Sequence, residues 1–133
     1  MSPAFEPGDL DYEQRVRETF ARQGLMATFA AELRSIEPGV VEIEVPFSPE
    51  LSQQDDFFHA GVGIAILDSA CGCAAFTLMA PGTRVLTVEL KVNLLAPRSV
   101  TSCERVARSS VPAGISPSAE AMPMPSPAAI RST

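Results

Sequence analysis

Residues 60–80 form one apolar run, AGVGIAILDSACGCAAFTLMA, whose only charged side chain is Asp68. A run of this length could cross a bilayer as a helix. Its many small residues, its acid and its lack of a basic flank predict instead a buried central helix around which the rest of the chain must wrap. An ionised carboxylate without partners in such surroundings costs on the order of several kcal/mol. Asp68 is therefore expected either to shift its pKa or to be kept for chemistry.

The flanking sequence supplies a helix and strands to cover that core. Residues 9–23 predict an amphipathic helix: Tyr12, Val16 and Phe20 recur every four residues, Glu13 and Arg17 pair at i,i+4, and Gly24 is a C-terminal stop. Phe29, Ala31 and Leu33 alternate weakly. Val41, Ile43, Val45 and Phe47 alternate cleanly with Glu42, Glu44 and Pro46, and Glu37-Pro38-Gly39 between the two runs predicts a hairpin. Residues 48–58 are a polar connection to the helix, and Pro81-Gly82 ends the helical pattern. Leu86, Val88, Leu90, Val92 and Leu94 form the strongest strand pattern, closed by Pro97. The order predicts an α+β fold, with antiparallel strands on one face of a long helix. Three strands are few to cover about 20 helical residues, so some covering is missing or comes from a partner.

A formal net charge of -6 weighs against nucleic acid as a partner. No Lys- or Arg-rich amphipathic stretch suggests a membrane surface, and the acidic start MSPAFEPGDLDYEQ lacks the apolar core of a secretory signal. Cys71 and Cys73 sit too close for a comfortable framework disulfide, and an odd total of three cysteines fits a reducing cytoplasm. With one histidine and no second cysteine pair, no zinc-type ligand set is expected.

His59-Ala60-Gly61 places free backbone N–H groups at the start of the long helix, where the dipole favours an anion or a developing oxyanion. Asp68 lies eight residues beyond Ala60, about 12 Å along a helix rising ~1.5 Å per residue. If both act on one reacting carbon, they must come from different subunits, which places the site at a dimer interface. The alternative for Asp68 is a carboxylate that hydrogen-bonds neighbouring backbone. Gln53 stands in a polar loop beside Gln54, and His59 either orients that turn or serves as a base. The serine-hydrolase elbow, the His-Glu-x-x-His motif and a glycine-rich phosphate loop are all absent from the sequence.

Five segments together resemble the hotdog-fold acyl-CoA thioesterases, in particular the PaaI-like, phenylacetate-pathway type. They are residues 22–26 (RQGLM), Pro46-Phe47, residues 58–61 (FHAG), residues 67–70 (LDSA) and residues 87–93 (TVELKVN). The resemblance spans roughly residues 9–98. It implies a long helix wrapped by an antiparallel sheet, assembled as homodimers or homotetramers, that hydrolyses the thioester of an aryl- or medium-chain acyl-CoA without cofactor or metal. It assigns Asp68 as nucleophile or general base, Gln53 as the group placing carbonyl or water, the Ala60 N–H as oxyanion donor, and Thr87 as a hydroxyl assisting the water. His59 and Gly61 fall among the substrate-binding positions. Relatives commonly carry glycine where Ala60 stands, but alanine keeps the N–H, provided its φ is negative. Two alternatives are a hotdog enoyl-CoA hydratase and an inactive relic acting at most as a binding module.

Residues 1–98 are thus expected to form an incomplete thioesterase domain, and residues 99–133 an irregular tail rich in Pro, Ser and Ala. The tail holds five prolines and no sustained period, which predicts loop or disorder. The resemblance stops at Pro97 although the family continues with three strands, an abruptness that suggests a shifted reading frame. Read from each third base, permitted codons for residues 120–126 give Ser-His-Ala-Tyr-Ala-Val, a string resembling a strand of this group. Met122 and Met124, with single codons, still fit.

Overall fold

The computed structural model describes residues 5–94 together with the strand Glu104–Ser110, the latter as backbone. Helix α1 (Tyr12–Ala21) is shorter than the predicted span. Asp9 accepts a hydrogen bond from the Asp11 N–H at 2.7 Å and turns the chain into the helix. Val16 and Phe20 are buried, and Arg17 pairs with Glu13 at 2.7 Å on the exposed side, as their spacing requires. Gly24 is not a stop. Gln23 leaves the helical region with ψ near 100°, and Gly24 begins a second short helix, α2 (Gly24–Thr28).

The weak alternation at Phe29 and Ala31 does not become strand. Phe29 caps α2, and Ala30 adopts a positive φ of 52°, reversing the chain so that β1 (Glu32–Glu37) begins only after it. A turn at Pro38-Gly39 leads to β2 (Val40–Val45), antiparallel to β1 with Glu37 opposite Val40. Gly39 has a φ of 75°, and a Cβ there would lie 2.6 Å from the Phe5 ring, so both backbone and space demand glycine. After a 3-10 turn (Pro49–Leu51) comes the central helix α3, Ala60–Phe76, ending short of the Ala80 expected.

Two predictions about strands are overturned. Residues 86–94 alternate well, yet they form no strand among the described residues, and Leu86 and Val88 are 86% and 95% exposed. Alternation makes a segment fit to join a sheet, but a strand also needs a neighbouring edge. The free edge of β2 is already taken by β3 (Glu104–Ser110), inside the stretch expected to be irregular. Pairing along that edge is backbone to backbone and needs little from side chains beyond the absence of proline. The sheet order is β1-β2-β3, all antiparallel. The closing of the predicted strand at Pro97 and the tail residues 99–103 and 111–133 lie outside the described residues.

Helix α3 packs against β2 and β3, with α1 across it. Val62, Ile66, Ala70 and Cys73 fall at helical spacing on its buried face and meet Val41, Ile43 and Val45 of β2. Burying such side chains stabilises by about 1.5–3 kcal/mol each for the large aliphatics. The far end of α3 is tied down by Arg15 of α1. Its guanidinium pairs with Asp9, donates to the Met79 carbonyl at 3.1 Å and lies 4.5 Å above the Phe76 ring. Thr77 is fully buried: its Oγ1 accepts from the Gly39 N–H at 2.7 Å and donates to the Ala74 carbonyl at 2.6 Å.

Candidate active site

A cavity of about 460 Å³ opens between the α1–α2 elbow, the middle of α3 and residues 82–87. Arg22 and Gln23 line it from the elbow, Asp68, Ser69 and Phe76 from α3, and Thr87 from the segment beyond. α3 can show this face because its helical repeat puts Asp68 and Ser69 beside, rather than within, the row of Ile66, Ala70 and Cys73 that fills the core.

Asp68 is half-buried rather than enclosed in the core, which corrects the picture of a carboxylate surrounded by apolar residues. The Thr87 hydroxyl donates to its Oδ1 at 2.6 Å. A residue from the failed strand thus reaches the acid. That bond leaves Oδ2 without a partner among the described residues, in a residue that lines the cavity. One residue along, the Ser69 hydroxyl donates to Gln23 Oε1 at 2.7 Å, joining α3 to the elbow.

The other candidate residues gather at the start of α3. His59 is the N-cap: its Nδ1 accepts from the Gly61 N–H at 2.8 Å, its carbonyl accepts from the Val62 N–H at 3.0 Å, and its own N–H bonds the Leu51 carbonyl at 2.9 Å. The Ala60 N–H has no partner among the described residues, and its φ is not positive. The first turn therefore leaves one unused donor at the positive end of the helix dipole. The loop before it is closed by a bridge between Ser52 and Phe58 and by a 2.8 Å bond from the Gln53 N–H to the Phe57 carbonyl. Gln53 Oε1 accepts from the Asp55 N–H, folding that side chain onto its own loop.

Asp68 and Thr87 are therefore brought together, while Gln53, His59, Ala60 and Gly61 form a second cluster a helix segment away. The Gln23–Ser69 pair was missed. Ser69 next to Asp68 in an apolar run was the available signal, but its partner lies 46 residues away and only the packing of α1 on α3 brings it near. Burial pushes the Cys73 thiol up to about 11. No group of three or more His, Cys, Asp or Glu is arranged to hold a metal ion, and no helix is long and apolar enough to cross a membrane, among the described residues.

No family model matches the chain. No curated protein matches it either. Among solved structures, it is similar to a thioesterase family protein from Silicibacter pomeroyi, at 52% identity and a TM-score of 0.64 over 65% of this chain and 63% of that one. It also resembles the E. coli PaaI protein of the phenylacetic acid degradation operon, at 13% identity and a TM-score of 0.59 over 65% of this chain and 61% of that one. A conserved protein from Pseudomonas aeruginosa matches at 20% identity and a TM-score of 0.54, over 56% and 60% of the two chains. The chain spans less than two thirds of the length of each. Across the part they share, the chain has the hotdog fold, and it resembles the Silicibacter pomeroyi thioesterase family protein in sequence as well as in structure.

Proposed function

We propose that this protein hydrolyses the thioester of an aryl- or medium-chain acyl-CoA at a site shared by two subunits. The observation that carries the reading is the Thr87–Asp68 hydrogen bond at the wall of a cavity, on the same helix whose first turn holds the unused Ala60 N–H. About 12 Å of helix separates donor and acid within one chain. One subunit's helix start is therefore assigned to the other subunit's acid, in a homodimer or a tetramer built from such dimers.

In this mechanism the thioester carbonyl sits on the Ala60 N–H, where the helix start stabilises the charge that develops on oxygen. His59 and Gly61 give the turn its shape against the substrate. Gln53, its Oε1 held by Asp55, offers its Nε2 donors to the carbonyl or the water. Thr87 holds Oδ1 of Asp68, and the free Oδ2 takes the proton from water as its oxygen bonds to the carbonyl carbon. Collapse of the adduct breaks the C–S bond, and the CoA thiolate leaves and takes up the proton.

Release of free CoA thiol from a panel of acyl-CoA esters tests this. Asp68→Asn is expected to lower kcat by at least about 100-fold, the scale for losing a general base, with folding preserved. Turnover at the wild-type rate in that variant overturns the assignment. The segment at residues 86–94, which joins no sheet among the described residues, favours a second reading, a hotdog remnant that binds acyl-CoA without hydrolysing it. Saturable binding with no thiol release would identify that case.

A further inference from the structure

The cavity carries a polar pair that the proposed hydrolysis does not use. Gln23 is half-buried at the α1–α2 elbow, and its Oε1 is fixed by the Ser69 hydroxyl at 2.7 Å. Its Nε2 has no partner among the described residues, and no enclosed side-chain nitrogen or oxygen among them lacks a partner, so this amide reaches open space. Gln23 and Ser69 both line the cavity, and Ser69 is the residue next to Asp68. A serine that locks the oxygen of a carboxamide also fixes where its two N–H donors point. A residue of the cavity lining thus carries an oriented amide whose N–H groups have no partner among the described residues, held by Ser69, the acid's neighbour on the helix.

Resting on the thioesterase reading, we propose that Gln23, oriented by Ser69, is a specificity residue that selects acyl groups bearing a hydrogen-bond acceptor near the thioester. Oxygenated acyl thioesters are the substrate class it fits. An acyl group with an acceptor satisfies the Gln23 N–H groups as it displaces water from the cavity. A plain hydrocarbon of the same size strips that water and returns nothing, leaving a polar group unpaired. Discrimination by a missing hydrogen bond is much steeper than discrimination by one methylene.

The test uses the full chain and a matched pair, acetoacetyl-CoA and butyryl-CoA, which differ by one carbonyl oxygen in place of two hydrogens. The wild type is expected to favour acetoacetyl-CoA by about 10-fold or more in kcat/KM. In Gln23→Leu, and in Gln23→Met, which keeps the length of the side chain, the ratio is expected to fall toward one, through loss on acetoacetyl-CoA and gain on butyryl-CoA, which then leaves no amide unpaired. Ser69→Ala frees the amide to rotate and gives an intermediate ratio. A merely structural elbow would lower both substrates together, and that outcome overturns the proposal, as does a wild type that turns over both equally. If the wild type releases thiol from neither these nor any other acyl-CoA, the hydrolase reading fails and the inference falls with it.

Discussion

Replacing Thr77 by valine removes the one hydroxyl that ties the end of α3 to the β1–β2 turn. Its Oγ1 accepts the Gly39 N–H at 2.7 Å in a fully buried position, and Gly39 is locked by its positive φ and by Phe5, so the turn cannot easily rotate to find another acceptor. Leaving that N–H unpaired costs about 1–3 kcal/mol. Valine is close in volume to threonine and returns a little apolar burial, so a net loss of about 2 kcal/mol is expected. Thr77→Ser keeps both hydrogen bonds and loses only a buried methyl, at about 1 kcal/mol. With no tryptophan and a single tyrosine, urea unfolding is best followed by far-ultraviolet circular dichroism. At a slope of about 2 kcal/mol/M, the valine variant should unfold about 1 M earlier than wild type and the serine variant about half as far below it. If Thr77→Val costs no more than Thr77→Ser, the methyl rather than the hydroxyl holds this junction, and the reasoning is refuted.

If the site is split between subunits, Asp68→Asn and Ala60→Pro chains, each inactive alone, should regain part of the activity when mixed. Proline removes the N–H while suiting a helix's first turn, and mixed dimers without activity would place the site within one chain. Cys73, raised from its ordinary 9.0 to about 11 by burial, stays protonated in the folded chain and ionises first in the unfolded one. Its contribution to stability is therefore complete below pH 9 and lost as pH climbs through 11, about 2–3 kcal/mol in all. The stability difference between wild type and Cys73→Ala should shrink across that window, and parallel curves would contradict it. Resequencing the gene tests the shifted reading frame: a stop codon in the alternative frame ahead of the strand it encodes disproves it.

The hairpin was legible because Val41, Ile43 and Val45 impose a period of two and Gly39 marks the turn. α3 was legible from length and apolarity alone. What failed were the features that depend on neighbours. Residues 86–94 carry the best strand pattern in the chain and join no sheet among the described residues, whereas Glu104–Ser110 carries none and pairs with β2. A pattern of side chains reports which faces a segment can offer and says nothing about which edge is vacant. Gln23 and Ser69 illustrate the same limit for the site. Each is an ordinary polar residue until the packing of α1 on α3 makes them one group. Thr87 donates to Asp68 even though the strand predicted to carry it did not form.

The exposed leucines and valines of residues 86–94 also govern how copies of this chain behave in solution. With Leu86, Val88 and Leu94 uncovered, each molecule bears an adhesive strip. A net charge of -6 opposes contact between copies, and that opposition has a reach set by the buffer. It extends about 30 Å in 10 mM salt and about 10 Å in 100 mM. Apolar attraction is not weakened by the same ions. Dilute buffer should therefore keep the protein clear, and ordinary saline should bring on scattering that grows with protein concentration, the reverse of a protein held together by ion pairs.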